Sequence, residues 1–492
     1  MGLIVNNREN LAVRNVGLLL LFRILVLAGG AATAALLPRI MGPELFGRYA
    51  LLSSLTQWFT FLGGMGIAQV VSRQVPAILQ AKDDSGFRSL VGNLMGLRML
   101  TGSLAAAIYL GVTLTWLRDM NAWVVLLLGV ALLLRSPVGI SFAVFLGQGR
   151  IARWALSDVI RQWGSLAFTV PAFLLFGFLG AGIGYLACEL AVLALAITGM
   201  RAHLPMGAIR IRWRELSPHL RLGLLLYLSE LILSATERSG ESLLRIMTGS
   251  YVLVGHYGVA NTIYFNAILA LQQIATAFVP MFIALRAQSD FTEMSHWIER
   301  LLKWLGLGAL LIFLGSVFLS RELVSLLFGP DYRGVEKNLV VLAGALVMHT
   351  LCFIGAAQAL VFDRPLVLIV AGLVRLAVFW LVGLLLARSQ GSFGMCLAML
   401  AGVTCQAVFY VVQTRKVLAL PLKRFLLQIA LAFPPVSLVL LPVTGIGKVV
   451  LCLAALLGYI GLVSAFRLIS SRELRTFREV LGNRRRGEAG MP

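Results

Sequence analysis

The sequence predicts an all-α polytopic membrane protein of about 14 transmembrane helices, built as two six-helix lobes followed by two extra helices. Three observations predict it. Apolar residues make up 59 % of the 492 and charged residues 13 %, and apolar stretches of membrane-spanning length recur from one end of the chain to the other. The charges are sorted by side: with the N-terminus inside, the inner segments hold 27 of the 42 Lys and Arg and the outer segments 8. That is the positive-inside pattern, and it puts both termini in the cytoplasm with an even number of spans in the inner (cytoplasmic) membrane. Finally, a short motif occurs once near the start of each half, so the halves read as parallel repeats related by a pseudo-twofold axis along the membrane normal. The net charge of +21 is therefore topology, not a nucleic-acid-binding surface.

The spans fall near 16–37, 49–71, 91–116, 123–146, 156–176 and 179–199, then 220–247, 259–285, 301–319, 339–362, 366–387 and 394–412, with extra spans at 425–441 and 449–466. The organisation is a first lobe (1–200), a cytoplasmic linker (201–219), a second lobe (220–414), the two extra spans (415–468) and a basic cytoplasmic tail (469–492).

Span one carries Arg23 and Gly29-Gly30, and is too long and charged for a cleavable signal. Pro38, Gly42 and Pro43 punctuate the turn into span two. Arg98 lies about two turns into span three, and span four holds Arg135-Ser136-Pro137, where proline frees a carbonyl and bends the helix. Pro171 does the same in span five. The run Gly180-Ala181-Gly182-Ile183-Gly184 is read as helix-packing glycine, and the lone Glu189 of span six as a partner for one of the arginines. The linker is the most basic internal connection. Leu326 to Tyr332 sits in the longest outer loop, 320–338, and Asp363-Arg364-Pro365 makes a short inner turn. Span ten holds His349 and span eleven Arg375. Cys188, Cys352, Cys396, Cys405 and Cys452 lie in apolar spans without metal-ligand spacing, as small packing residues.

Span seven is the most charged. At 100° per residue, Glu230, Ser234, Glu237, Glu241 and Arg245 share an arc of about 80°, with Arg238 at its edge. Each charge near the bilayer centre costs roughly 2.5 to 3.5 kcal/mol on insertion scales. Two readings account for the stripe: local pairing, with Glu241 and Arg245 at i, i+4, or one wall of a water-filled cavity for a charged solute.

The repeated motif is Arg39-Ile40-Met41 followed by Gly47-Arg48-Tyr49, against Arg245-Ile246-Met247 followed by Gly255-His256-Tyr257. Both copies sit at the outer end of the first span of their half.

The stretch from Leu37-Pro38-Arg39-Ile40-Met41-Gly42-Pro43 through Glu44-Leu45-Phe46-Gly47-Arg48-Tyr49-Ala50 resembles the first outer turn of the oligosaccharide and polysaccharide flippases. Leu327-Phe328-Gly329-Pro330-Asp331-Tyr332 resembles their outer loop before span ten. The resemblance covers nearly the whole chain. It implies membership of the superfamily that also holds multidrug extruders and the peptidoglycan-precursor flippases. It further implies two lobes around a cationic cavity that opens alternately to each side, moving a polyprenyl-diphosphate-linked glycan from the inner to the outer leaflet. Twelve spans are commonest in O-antigen flippases, and fourteen resemble the peptidoglycan-precursor flippases.

An anionic diphosphate calls for the planar donor fork of arginine. Arg23, Arg98, Arg135, Arg238, Arg245 and Arg375 are the candidates, with Arg23 and Arg135 nearest mid-span, and Glu230, Glu237 and Glu241 are candidates for ion coupling. Snorkelling of Arg98, an outer-surface position for Arg245 and a carboxylate partner for Arg375 are the structural alternatives. A peptidoglycan-precursor flippase and a multidrug antiporter are the rival functions. The antiporter would want carboxylates to dominate its cavity. A membrane-embedded glycosyltransferase or polymerase would need a large outer loop with acidic residues, and the longest here is about 19 residues. No nucleotide-binding or metal motif is present, so the chain reads as a transporter with no cofactor and no nucleotide, driven by H+ or Na+. Membrane lipids and the polysaccharide polymerase machinery complete the expected partners.

Overall fold

In the computed structural model, residues 2–81, 83–200, 211–415, 417–443, 445–466 and 468 are described, with side chains omitted at 2–17, 19, 20, 69, 72, 73, 214–226 and 446. The core of the linker (201–210) and almost all of the tail lie outside the described residues. Among the described residues fifteen α-helices run in order: α1 (Gly2–Leu62), α2 (Ile67–Gln80), α3 (Asp84–Trp116), α4 (Ala122–Gly147), α5 (Ile151–Phe176), α6 (Phe178–Met200), α7 (Trp213–Arg238) and α8 (Gly240–Thr248), then α9 (Tyr251–Ala277), α10 (Val279–Ala287), α11 (Phe291–Leu327), α12 (Val335–Val361), α13 (Pro365–Thr414), α14 (Leu422–Ser437) and α15 (Ile446–Ala465).

Eleven helices among the described residues are long and apolar enough to cross a membrane. Two of these cross twice. α1 reverses at Gly42 (φ 72°) and α13 at Gly391 (φ 59°), left-handed conformations that glycine adopts without steric cost. The reversal shows in the neighbours of each arm. Thr33 of the first arm bonds to Gln162 of α5, while Thr60 of the second takes Arg135 of α4; in α13, a Cβ on Gly402 would lie 2.9 Å from the Arg375 carbonyl. With α7 and α8 as one broken span, the pattern is the predicted one.

Span seven departs from expectation. It breaks at Ser239, so the charged stripe does not run along one straight helix. A side chain at Gly240 would lie 2.5 Å from the Tyr257 ring, which is fully buried there. Span nine is also longer than predicted, because Leu323, Leu326 and Leu327 continue the helix until Gly329-Pro330 stops it. Four of the five cysteines are buried, and Cys405 is exposed.

The two repeats meet at one end of the bundle. A Cβ on Gly47 would collide with the carbonyl of Tyr251, and one on Gly255 with the carbonyl of Pro43. Each motif arginine crosses to the other lobe: Arg39 Nη1 donates to the Leu326 carbonyl at 2.9 Å, and Arg245 Nη2 to Asp119 Oδ2 at 2.9 Å. Arg48 and His256 hydrogen-bond within their own lobes, to the carbonyls of Asp119 and Asp331, and the Arg48 guanidinium also lies over the Tyr251 ring of the other lobe at 4.7 Å. Asp119 also accepts from Tyr251 Oη, and Tyr332 Oη donates to Pro38 O, both at 2.9 Å. Beneath this layer Leu37, Met41, Phe46, Leu244, Val254 and Tyr257 are buried in one apolar core, so the Asp119 end is plugged.

The pseudo-symmetry extends to the helix caps. Asp83 caps α3 through Gly86 N, and Asp290, its counterpart, caps α11 through Glu293 N. The last two helices lie outside the symmetric pair. α14 and α15 pack on α11, through the Arg424–Glu299 and Lys448–Glu322 ion pairs and a bond from Gln428 Nε2 to the Lys303 carbonyl.

Candidate functional site

Between the two lobes lies a cavity of about 510 Å³ lined by helices α1, α3, α4, α5, α6, α7, α8 and α9. Its first-lobe wall carries Arg98, Arg135, Arg161 and Glu189; the second-lobe wall carries Arg238 and Glu241.

Arg135 is the best-anchored cation. Pro137, two residues on, cannot supply a helical N–H, and Ser141 Oγ bonds to its carbonyl at 2.9 Å. Glu189, 2 % exposed, accepts from Arg135 Nε at 2.8 Å and lies 2.6 Å from Nη2. Both bonds use one edge of the guanidinium. The other edge reaches Thr60 Oγ1 at 3.4 Å, and the plane lies over the Tyr185 ring at 5.3 Å. Arg161 is tied more loosely to the same carboxylate, at 3.5 Å with its side chain 32 % exposed. One buried carboxylate thus holds two arginines and leaves the pair with a surplus positive charge.

Arg98 caps the end of α1's second arm, its Nη2 donating to the Thr60 carbonyl at 3.2 Å, while Nη1 has no partner. Tyr227 Oη bonds the next carbonyls, Phe61 O and Leu62 O, at 2.9 Å each. On the opposite wall Arg238 lies over Phe265 at 4.8 Å. Glu241, 4 % exposed, accepts from Ser54 Oγ and Asn261 Nδ2 at 3.2 Å each. Its partners are neutral donors from both lobes.

Of the six arginines proposed from sequence, Arg98, Arg135 and Arg238 line this cavity and Arg23, Arg245 and Arg375 do not. Arg23 sits two turns before Gly30 and turns to α5, over Trp154 and 3.9 Å from Asp158. Arg245 belongs to the Asp119 layer, so the i, i+4 pairing with Glu241 is replaced by a bond across the lobes. Arg375 is 1 % exposed inside the second lobe, its Nη2 3.4 Å from Met399 Sδ. It acts electrostatically on Glu237, on Tyr264 and on His349, the last two joined by a 2.9 Å hydrogen bond. Glu237 is half-buried between the charges of Arg375 and Arg238 and does not line the cavity, and Glu230 is exposed. Arg161 is the residue that sequence reading missed. Its position five residues into span five was the available signal.

The family model for polysaccharide biosynthesis proteins matches residues 12–286. No curated protein sequence matches the chain. Among solved structures, the chain is similar to the lipid II flippase MurJ in an inward closed conformation, with a TM-score of 0.72 at 12 % identity over 92 % of this chain and 98 % of that one. It is similar to a multidrug resistance MATE family transporter of the MOP superfamily, inward-facing, with a TM-score of 0.66 at 14 % identity over 80 % and 94 %. A MOP superfamily transporter from Pyrococcus furiosus follows with a TM-score of 0.50 at 16 % identity over 82 % and 92 %. At such identities the likeness speaks to the fold. The fold is that of the MOP flippases and transporters, the chain is a multi-pass membrane protein, and, with more than half of its length matched, it belongs to the polysaccharide biosynthesis protein family.

Proposed function

We propose that this protein is a flippase rather than an enzyme. It carries a polyprenyl-diphosphate-linked oligosaccharide from the inner to the outer leaflet of the cytoplasmic membrane by alternating access through the central cavity. The observation that carries the reading is the charge balance of that cavity, four arginines against two carboxylates. Both carboxylates are nearly inaccessible and already hydrogen-bonded. A diphosphate only accepts hydrogen bonds, so it matches guanidinium edges left free by Glu189. An exporter of organic cations would need accessible carboxylates there. The substrate side of the wall is Arg135, Arg161 and Arg238, with Arg98 at the end of α1's second arm.

In this reading the termini are cytoplasmic, the Asp119 end faces outward, and the structure has its outer end closed. Opening outward must separate Gly47 from Tyr251 and break the bonds to Asp119. Coupling to H+ or Na+ falls to Glu241, whose donors come from both lobes and therefore part when the lobes move, and to the Glu237–Arg375 cluster behind it. The test is complementation. Cells lacking the protein should accumulate lipid-linked glycan on the cytoplasmic face, and an Arg161→Ala, Arg238→Ala variant at matched abundance should fail to export it. Full export by that variant contradicts the reading.

A further inference from the structure

The cavity is not uniformly cationic. Gln57 on α1, Gln162 on α5 and Asn266 on α9 also line it, each half-buried, and none of the three side chains has a hydrogen-bond partner among the described residues. The other amide lining the cavity, Asn261, is spent on Glu241. The three free amides come from three helices, and two of them, Gln162 and Asn266, meet the first arm of α1 at its glycine pair. A Cβ on Gly29 would lie 3.0 Å from that of Gln162, and one on Gly30 would lie 2.9 Å from Asn266 Oδ1. The glycine pair therefore lets Gln162 and Asn266 flank the first arm from opposite lobes. Gln162 follows Arg161, and Gln57 is one turn from Thr60, the partner of Arg135, so the amides border the arginine wall.

An arginine only donates, which suits phosphate. An amide offers two donors and two acceptor lone pairs, which suits a hydroxyl that both gives and takes a hydrogen bond. Resting on the flippase reading above, we infer that Gln57, Gln162 and Asn266 form a hydroxyl-reading subsite that holds a neutral sugar ring of the glycan beside the diphosphate. The arginines supply affinity for any lipid diphosphate, and the amides distinguish the glycosylated lipid from the bare one. Because the amides belong to both lobes, a bound sugar also bridges them.

The test uses the full-length protein in nanodiscs and two probes, a polyprenyl diphosphate without sugar and the same lipid bearing a neutral N-acetylhexosamine disaccharide. Wild type should bind the glycosylated probe at least tenfold more tightly than the bare one. In the Gln162→Leu, Asn266→Leu variant the bare probe should bind within twofold of wild type, while the preference for sugar collapses, at roughly tenfold per lost amide pairing. Gln57→Leu gives an independent reading should the double variant fold poorly. A wild type that binds both probes equally, or variants that keep the preference or lose both probes in parallel, would overturn the subsite and leave the diphosphate reading standing. A wild type that binds neither probe would overturn both.

Discussion

At the scale of single residues, Glu189 and Arg135 decide the character of the cavity. Removing Arg135 leaves a carboxylate 2 % exposed with only the 3.5 Å contact to Arg161, and breaking such a buried pair costs about 3–5 kcal/mol. Arg135→Ala should therefore lose both thermal stability and transport. Arg135→Met with Glu189→Leu should recover the melting temperature, since a buried pair replaced by apolar residues is often neutral, without recovering transport. Recovery of transport by the pair would mean that the charge is structural only. Arg161→Ala should behave differently, with stability changed by less than about 1 kcal/mol because its contact is long and partly exposed. Glu241→Gln keeps shape and hydrogen bonding but cannot ionise. It should leave lipid binding intact while the response of transport to pH or sodium disappears, and an unchanged response would remove Glu241 from coupling. The cost of burying charge made Arg98, Arg135, Arg238 and Glu241 legible as functional candidates. It could not say which neighbour each faces. Arg23, Arg245 and Arg375 are as costly, yet each finds its company elsewhere, at Trp154, at Asp119 and in the inner cluster of the second lobe.

Among elements, the seam between α1 and α9 carries the most consequence. Gly47 and Gly255 pack each on the backbone of the other repeat, and an added methyl group in so tight a contact costs about 1–3 kcal/mol. Gly47→Ala and Gly255→Ala should each favour the state in which this end is open. A cysteine at Ser53, which lines the cavity, should then react faster with a membrane-impermeant maleimide added outside. Asp119→Ala should act in the same direction, because it releases Arg245 and Tyr251 at once. Labelling rates equal to wild type in all three would mean that the seam is not a gate. The motif that placed these glycines in register was readable from sequence, and so were the proline- and glycine-marked turns. The break at Ser239 was not: beside it Gly240 leaves room for the Tyr257 ring, a contact 17 positions apart that periodicity along one helix does not report.

For the whole molecule, fourteen spans and the twofold were legible because a bilayer imposes length, and an orientation rule imposes charge asymmetry, on every segment independently. The cavity was legible only as a necessity, since its walls come from eight helices and its amides carry no charge to betray them. Orientation is tested by single cysteines: Asp290 should be protected from an external impermeant reagent, and Asp119, Asp331 and Ser389 should be labelled. Labelling of Asp290 together with Asp331 would break the topology.

The most direct measurement of the central claim is flipping itself. The purified protein in liposomes, with a fluorescent polyprenyl-diphosphate oligosaccharide in one leaflet and an impermeant quencher outside, reports the rate of transfer between leaflets. The account predicts protein-dependent transfer that falls at least tenfold in Arg161→Ala, Arg238→Ala and is inhibited by bare polyprenyl diphosphate. Transfer at the protein-free rate, or at the wild-type rate in that variant, would contradict it.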